Sequence, residues 1–366
     1  MGDANQSALH VKPGCAAPAQ PDRTKRISKL KQEISAPRYV EGILKGDRSV
    51  LARAITLIES SRTEDQQIAE DILEKCLPSS RNSIRVGFTG IPGAGKSSLI
   101  ESIGKHLIKE RGEKVAVLAI DPSSQLSGGS ILGDKTRMTF LASSEMAFIR
   151  PSPSRGAHGG VAQNTRNAIL LCEAAGYRNT LVETVGVGQS ETAVGSMVDF
   201  FLLVTLAGAG DELQGIKRGV MEMADVVVVN KTDGENIRAA ERARTEAASA
   251  LHFLPASPSG WVPRALACSA HTGRGVVELW SCVLEYLSIT KPSGWFERKR
   301  HDQARHAMQE NIEQGLLQMF RSDLVVQQRR ALLEQWVLAG EISAVRATRE
   351  LLALFASRSA TGAPTI

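Results

Sequence analysis

The residues Gly90-Ile91-Pro92-Gly93-Ala94-Gly95-Lys96-Ser97 restrict what this chain can become more than any other stretch of it. An apolar run, Ile84-Arg85-Val86-Gly87-Phe88, leads into them, and a helical pattern, Ser98-Leu99-Ile100-Glu101-Ser102-Ile103, leads out. Strand, glycine-rich turn and helix at this spacing form a P-loop. Phosphate oxygens need several donors at close range, which only a turn with little side-chain bulk exposes. The helix N-terminus adds a favourable dipole. Gly90, Ile91, Pro92, Gly93, Ala94, Gly95, Lys96, Ser97 and Ser98 are therefore the expected phosphate-side residues. Lys96 is expected to reach the β- and γ-phosphates and to act in catalysis, and the Ser97 hydroxyl to ligate Mg²⁺. The loop announces a nucleoside triphosphate without saying which base it carries.

A P-loop needs a sheet, and the surrounding chain supplies one. Strand-like runs at Ile84–Phe88, Val115–Ile120, Ala147–Arg150, Thr180–Val182, Phe200–Leu206, Val226–Val229 and Ala265–Cys268 alternate with helical patterns. Those helices are expected at Ser97–Arg111, Gln163–Ala175, Asp211–Met223, Glu235–Leu251 and Val276–Leu287. Several strands are unbroken apolar runs, as parallel strands covered on both faces require. The expected fold is α/β, a doubly wound, mostly parallel sheet of the P-loop G-domain type, with its ligand at the carboxyl ends of the strands.

The ends of the chain differ from this middle. Residues 1–36 are rich in Ala, Pro, Gly and Gln, then basic, and read as a disordered arm. They lack the apolar core of a signal peptide, so a cytoplasmic protein is expected. Residues 37–80 carry helical apolar spacing at Leu51, Ala54, Ile55 and Ile58 and again at Ile68, Ile72, Leu73 and Cys76, predicting an N-terminal helical subdomain. Residues 81–290 are expected to form the P-loop domain and residues 291–366 a C-terminal helical arm. In that arm Met308, Ile312, Leu316 and Met319 make one apolar stripe, with further helices near Leu324–Ala339 and Ile342–Phe355. A projecting stripe has to be buried, and pairing with a second copy of the chain is the favoured solution.

Composition removes several classes. A net charge of +5 over 366 residues is slight, so basic faces are expected to be solvated rather than bound to nucleic acid. No run reaches the roughly 18 apolar residues that a membrane span needs. Five cysteines without a C-x-x-C pair fit reduced thiols rather than a disulfide framework.

The base is named by Asn230-Lys231-Thr232-Asp233, which follows directly on Val226–Val229. A carboxylate at Asp233 can accept from both N1–H and the exocyclic amine of guanine, a donor pair that adenine lacks. Asn230 is expected at the purine edge, with the stem of Lys231 over the ring. After the last strand, backbone N–H groups of Ser269, Ala270 and His271 can meet the guanine oxygen.

Acids that could surround Mg²⁺ lie at Asp121, which ends the second strand, at Asp134, and at Glu183 in Glu183-Thr184-Val185-Gly186. The last tetrapeptide stands where many GTPases carry D-x-x-G, so the Gly186 N–H is expected to sense the γ-phosphate. Mg²⁺ keeps several waters and uses few carboxylates, so at least one of these acids should reach it only through water or in one nucleotide state. Gln189 is the candidate to orient the attacking water, beside Glu183. Arg137, Arg150 and Arg155 are the arginines available to a transferred phosphoryl group. Turnover is expected to be slow without a partner.

Three runs go beyond generic GTPase features. They are Asp121-Pro122-Ser123-Ser124 with Gly128–Met138, Glu183–Glu191, and Gly208-Ala209-Gly210-Asp211-Glu212-Leu213-Gln214-Gly215-Ile216-Lys217. Together they resemble the MeaB-type (ArgK/MeaB) GTPases over about residues 38–290, and more loosely in the tail. The resemblance implies a G-protein chaperone of adenosylcobalamin-dependent methylmalonyl-CoA mutase that gates cofactor delivery and protects or reactivates the mutase. It further implies a homodimer through the C-terminal arm and a third switch over Leu206–Lys217, with Gln214 and Lys217 as its polar contacts to the mutase. The loop Arg155–Gly160 departs from the family in carrying His158. A base-off cobalamin signature, D-x-H-x-x-G, is missing, with Gly156 rather than Asp two residues before His158, so no cobalamin site of its own is expected. The alternatives are a GTP-dependent small-molecule kinase and a metal-insertion GTPase. The second should carry a Cys- or His-rich tract, which this sequence lacks.

Overall fold

In the computed structural model the described residues are 35–361, apart from 61, 81–82, 122–137, 154–157, 185–189 and 209–217. Seven strands form one sheet: β1 (Ile84–Gly90), β2 (Val115–Asp121), β3 (Ala147–Pro153), β4 (Asn179–Thr184), β5 (Phe200–Leu206), β6 (Val226–Asn230) and β7 (Arg264–Ala267). Their order is β3-β2-β4-β1-β5-β6-β7, and every pairing is parallel. From β1 the chain runs out to β2 and β3, returns to β4 beside β1, and then crosses to β5, β6 and β7, so the crevice at the carboxyl end of β1 is where such a sheet takes its ligand.

The unbroken apolar strands are explained by burial on both faces. Along β2, Val115 and Val117 belong to one buried cluster, while Ala116, Leu118 and Ile120 belong to the other. Successive side chains point to opposite faces, and here neither face meets water. The first cluster is closed by α4 (Lys96–Arg111), by α10 (Val276–Thr290) and by the aromatic group Phe200, Trp261 and Tyr286. The second is closed by α6 (His158–Ala174) and by the N-terminal helices α1 (Ala36–Leu44), α2 (Arg48–Ile58) and α3 (Thr63–Cys76). Ile43, Leu51, Ile55 and Ile72 are fully buried there, so these helices are a layer on the sheet's own core. Local signals start them: Pro37 sits in the first turn of α1, and the Asp47 carboxylate caps α2 by accepting from the Ser49 and Val50 amides at 2.8 and 3.1 Å.

The shorter helices α5 (Thr139–Ser143), α7 (Ser190–Gly195) and α8 (Arg218–Met223) follow segments outside the described residues, and α9 (Ile237–His252) lies between β6 and β7. The expected helix over Asp211–Met223 is therefore seen only from Arg218. Three more helices follow among the described residues: α11 (Trp295–Ser322), α12 (Leu324–Leu338) and α13 (Ala344–Thr361). The base of α11 is bolted to the amino end of β5. Arg300 pairs with buried Asp199 at 2.8 Å and donates to Ser83 O, and Lys299 donates to Asp199 O at 2.7 Å. Burial alone would push the Asp199 carboxyl up, but the Arg300 and Arg85 guanidiniums and the Arg85 amide overcome it and hold its pKa low. Further along α11 the stripe read from the sequence faces outward, with Met308, Ile312, Leu316 and Met319 exposed by 59, 47, 53 and 56%. The described cysteines Cys76, Cys172, Cys268 and Cys282 are buried and free of disulfides. Among the described residues no helix is long and apolar enough to cross a membrane.

Candidate nucleotide-binding site

The turn after β1 has the backbone that its glycines require. Gly90 has φ of +140°, and a Cβ there would lie 1.9 Å from Val204 O in the neighbouring strand, so no other residue fits. Gly95 has φ of +85° and opens α4, leaving the first amides of that helix facing the turn. Lys96 folds back across the turn, and its Nζ donates to Gly90 O at 2.8 Å and Ile91 O at 3.2 Å. Burial lowers the pKa of Lys96, while Glu183 and Glu191 act to raise it. The ammonium is thus held in the concavity of the loop by carbonyls that phosphate oxygens can replace.

Glu183 comes to this point by register. In β4 it lies beside Phe88 of β1 and Ala119 of β2, close to the carboxyl ends of both. Its Oε1 accepts from Ser97 Oγ at 2.7 Å, and both residues are buried. A buried hydroxyl against a carboxylate is a hard oxygen pair of the kind Mg²⁺ takes, so these residues fit that ion. Asp121 ends β2 on the same side of the sheet, and Asp134 lies outside the described residues. So do Gly186, Gln189, Gln214 and Lys217, along with Arg137 and Arg155. Arg150 is described, and its guanidinium is engaged with Thr56 of α2 and with Glu59, which ends that helix.

Asn230 ends β6 with its side chain fully committed to the protein. Its Nδ2 donates to Ala94 O at 2.8 Å, while its Oδ1 accepts from Ala270 N at 3.1 Å. The residue expected at the purine edge is here a strut that ties the P-loop to the loop after β7. Lys231 follows with φ of +60°, a left-handed conformation in a residue other than glycine, and stands exposed. Asp233 accepts from Ser269 Oγ, and Ser269 Oγ accepts in turn from Thr272 N at 3.1 Å. Asp233, Ala270 and His271 all line one cavity, which also takes in Gly95 and Ser98. The P-loop and the loops after β6 and β7, more than a hundred residues apart in sequence, thus share one pocket.

Two acids carry more than the sequence reading assigned them. Glu191, in α7, is buried and acts electrostatically on Lys96. Its signal was present, since it closes the Glu183–Glu191 run. Glu101, one turn into α4 from Ser97, accepts from Phe140 N at 2.6 Å and Leu141 N at 3.2 Å, fixing α5 on α4. Nothing in the local pattern distinguishes it from a solvated helix acid.

Comparison with known proteins agrees with this geometry. Residues 51–324 match the family described as methylmalonyl-CoA mutase-associated GTPase MeaB. A probable GTPase of Mycobacterium tuberculosis is 48% identical over 307 residues, covering 84% of this chain and 91% of its own. The methylmalonic aciduria type A homolog, mitochondrial, of Mus musculus is 43% identical over 354 residues, covering 94% and 85%. GTPase ArgK of Escherichia coli is 47% identical over 285 residues, covering 78% and 86%. A solved structure described as an LAO/AO transport system kinase superposes with a TM-score of 0.69 at 37% identity, covering 88% of this chain and 98% of that one. With a P-loop and a family match across most of its length, the chain belongs to the MeaB family of mutase-associated GTPases.

Proposed function

We propose that this protein is a GTP-hydrolysing switch that docks on an adenosylcobalamin-dependent methylmalonyl-CoA mutase, or a related acyl-CoA mutase. There it gates cofactor loading and protects or reactivates its partner. The observation that carries the reading is the joining of three motifs at one sheet edge. Ser97 meets Glu183, and Asn230 locks the P-loop to the loop that presents Ala270.

In this reading Gly90–Ser98 cradle the phosphates, and Lys96 leaves its loop carbonyls for phosphate oxygens. Asp233 reads the guanine edge, with Ser269 orienting its carboxylate and the Ala270 and His271 backbone meeting the guanine oxygen. Ser97 and Glu183 would hold Mg²⁺, joined by Asp121 or Asp134, and the ion supplies positive charge for the phosphates. Gly186 senses the γ-phosphate and Gln189 orients the attacking water. Gln214 and Lys217 carry the nucleotide state to the mutase, and the protein works as a homodimer. Intrinsic hydrolysis is slow and rises on contact with the mutase.

The test is co-purification with candidate mutases in GTP, GDP and a non-hydrolysable analogue, paired with phosphate release. A nucleotide-dependent complex and mutase-stimulated hydrolysis are expected, and absence of both overturns the proposal. The second reading, a GTP-dependent small-molecule kinase, draws on the description of the LAO/AO relative. It predicts a phosphorylated acceptor in place of free phosphate.

A further inference from the structure

The cavity that contains the guanine-side residues runs on past them. Its volume is about 990 Å³, and beyond Asp233 and Ala270 it is lined by Lys105, His106 and Lys109 of α4 and by Thr139 and Phe140 of α5. This far half is built by two independent contacts. Glu101 clamps α5 by accepting from the Phe140 and Leu141 amides, and Leu141 fills the space over Gly104, where a Cβ would lie 2.7 Å from Leu141 Cδ2. The wall carrying Phe140 is therefore held at a fixed distance from α4.

Two lysines and two acids line this half: the Glu101 carboxylate is spent on two amides, and Glu110, on the last turn of α4, also lines the cavity. Lys105 and Lys109, one turn apart, are exposed, and among the described residues neither has an ion-pair partner. Lys109 Nζ lies 5.2 Å from the centre of the Phe140 ring. Side chains on a helix lean toward its N-terminus, so both lysines lean back toward the nucleotide side of the cavity.

A nucleotide placed here has a fixed orientation. Its 5′-phosphates go to the start of α4 and its base to Asp233 and Ala270, so the ribose spans the gap over Ser98. If the hydroxyl edge of that ribose faces down α4, away from the P-loop, a group on the 3′-oxygen enters the half of the cavity that holds Lys105 and Lys109. We propose that the α4–α5 groove is a subsite for phosphate carried on the ribose. The protein then takes a guanine nucleotide with diphosphates on both its 5′- and 3′-oxygens, in competition with GTP. This rests on the guanine reading given above. Such a ligand fills the site without a γ-phosphate and holds the switch in its GDP-like state.

The test is displacement of radiolabelled GDP from the wild-type protein and from Lys105→Ala/Lys109→Ala. The competitors are unlabelled GDP, guanosine 5′-diphosphate 3′-diphosphate, and GDP with an equal concentration of free pyrophosphate. The wild type is expected to bind the doubly phosphorylated nucleotide about tenfold more tightly than GDP, as charge-assisted contacts allow. The double variant should lose that preference and keep its GDP affinity. Equal affinity for the two nucleotides in the wild type overturns the subsite, as does a preference that survives in the double variant. Free pyrophosphate that tightens GDP binding to the same degree also overturns it, because the phosphate would then need no ribose. These outcomes leave the guanine reading intact. Failure of the wild type to bind labelled GDP at all overturns both.

Discussion

Asn230 and Asp233 sit three residues apart and do separate work, which mutation can resolve. Asn230 joins two loops through both ends of one amide group, and its partners Ala94 O and Ala270 N cannot both be repaired by a smaller side chain. Asn230→Ala is expected to lower stability by about 2 kcal/mol, the usual cost of leaving buried polar groups unmade. It should weaken GTP and ATP alike, read by urea unfolding beside nucleotide competition. Asp233→Asn keeps an oxygen for Ser269 but replaces the acceptor pair proposed for guanine. It should leave unfolding nearly unchanged while the GTP-over-ATP preference falls about a hundredfold. An unchanged preference would undo the base assignment. Gly90→Ala belongs to a third kind. With Val204 O only 1.9 Å from the added carbon, β1 and β5 must part, and a loss of about 3 kcal/mol or more is expected on denaturation.

At the scale of elements, the expected strands all appear, because strands buried on both faces write themselves as apolar runs. The P-loop backbone was equally legible, since it depends on neighbours in sequence, but the tie that Asn230, expected at the purine edge, makes to Ala94 and Ala270 was not. Nor were the other contacts that join elements. Asp199 and Arg300 are a hundred residues apart, and neither is marked by periodicity or spacing, yet together they seat α11 on the sheet. Glu101 was invisible for the same reason, its partners being backbone amides of a helix 39 residues away. The Asp199–Arg300 bolt also has a pH signature. Its carboxyl pKa is lowered below 3.8, so the folded state binds its proton less readily than the unfolded chain does. The stabilisation is complete above that value and is lost as pH falls through the folded pKa. Asp225 nearby runs oppositely, since burial raises it, with Lys299 and the Phe201 amide opposing. Asp199→Asn leaves the Arg300 charge buried without its counter-ion and should cost about 3–5 kcal/mol at neutral pH. The gap between variant and wild type should close below about pH 3.8, measured by urea unfolding across the acid range. A gap independent of pH would mean that packing rather than charge holds α11.

For the whole molecule, the question is what the arm is for. Its base is fixed by Arg300 and Lys299, and its far end is tied together by the Phe320–Phe355 edge contact and by Asp323, which caps α12 and pairs with Arg358. Between these anchors Met308, Ile312, Leu316 and Met319 stay in water along one line of α11. Helix spacing puts these residues on one face without specifying what covers it. A single apolar side chain in solvent needs no explanation, whereas four in register on a rigid helix are the form of an interface with another helix. The same face on two copies would pair about a two-fold axis, each stripe covering the other. Ile312→Glu/Leu316→Glu should therefore turn a dimer into a monomer by light scattering. The substituted residues carry no site side chain, so GDP affinity should hold within about twofold, a difference well below 1 kcal/mol. If the wild type is already monomeric at high concentration, or if the double variant remains dimeric, the stripe is not the dimer seam. If the variant is monomeric and still forms the nucleotide-dependent mutase complex, the arm joins copies of the switch, and the strand ends around the P-loop do the signalling.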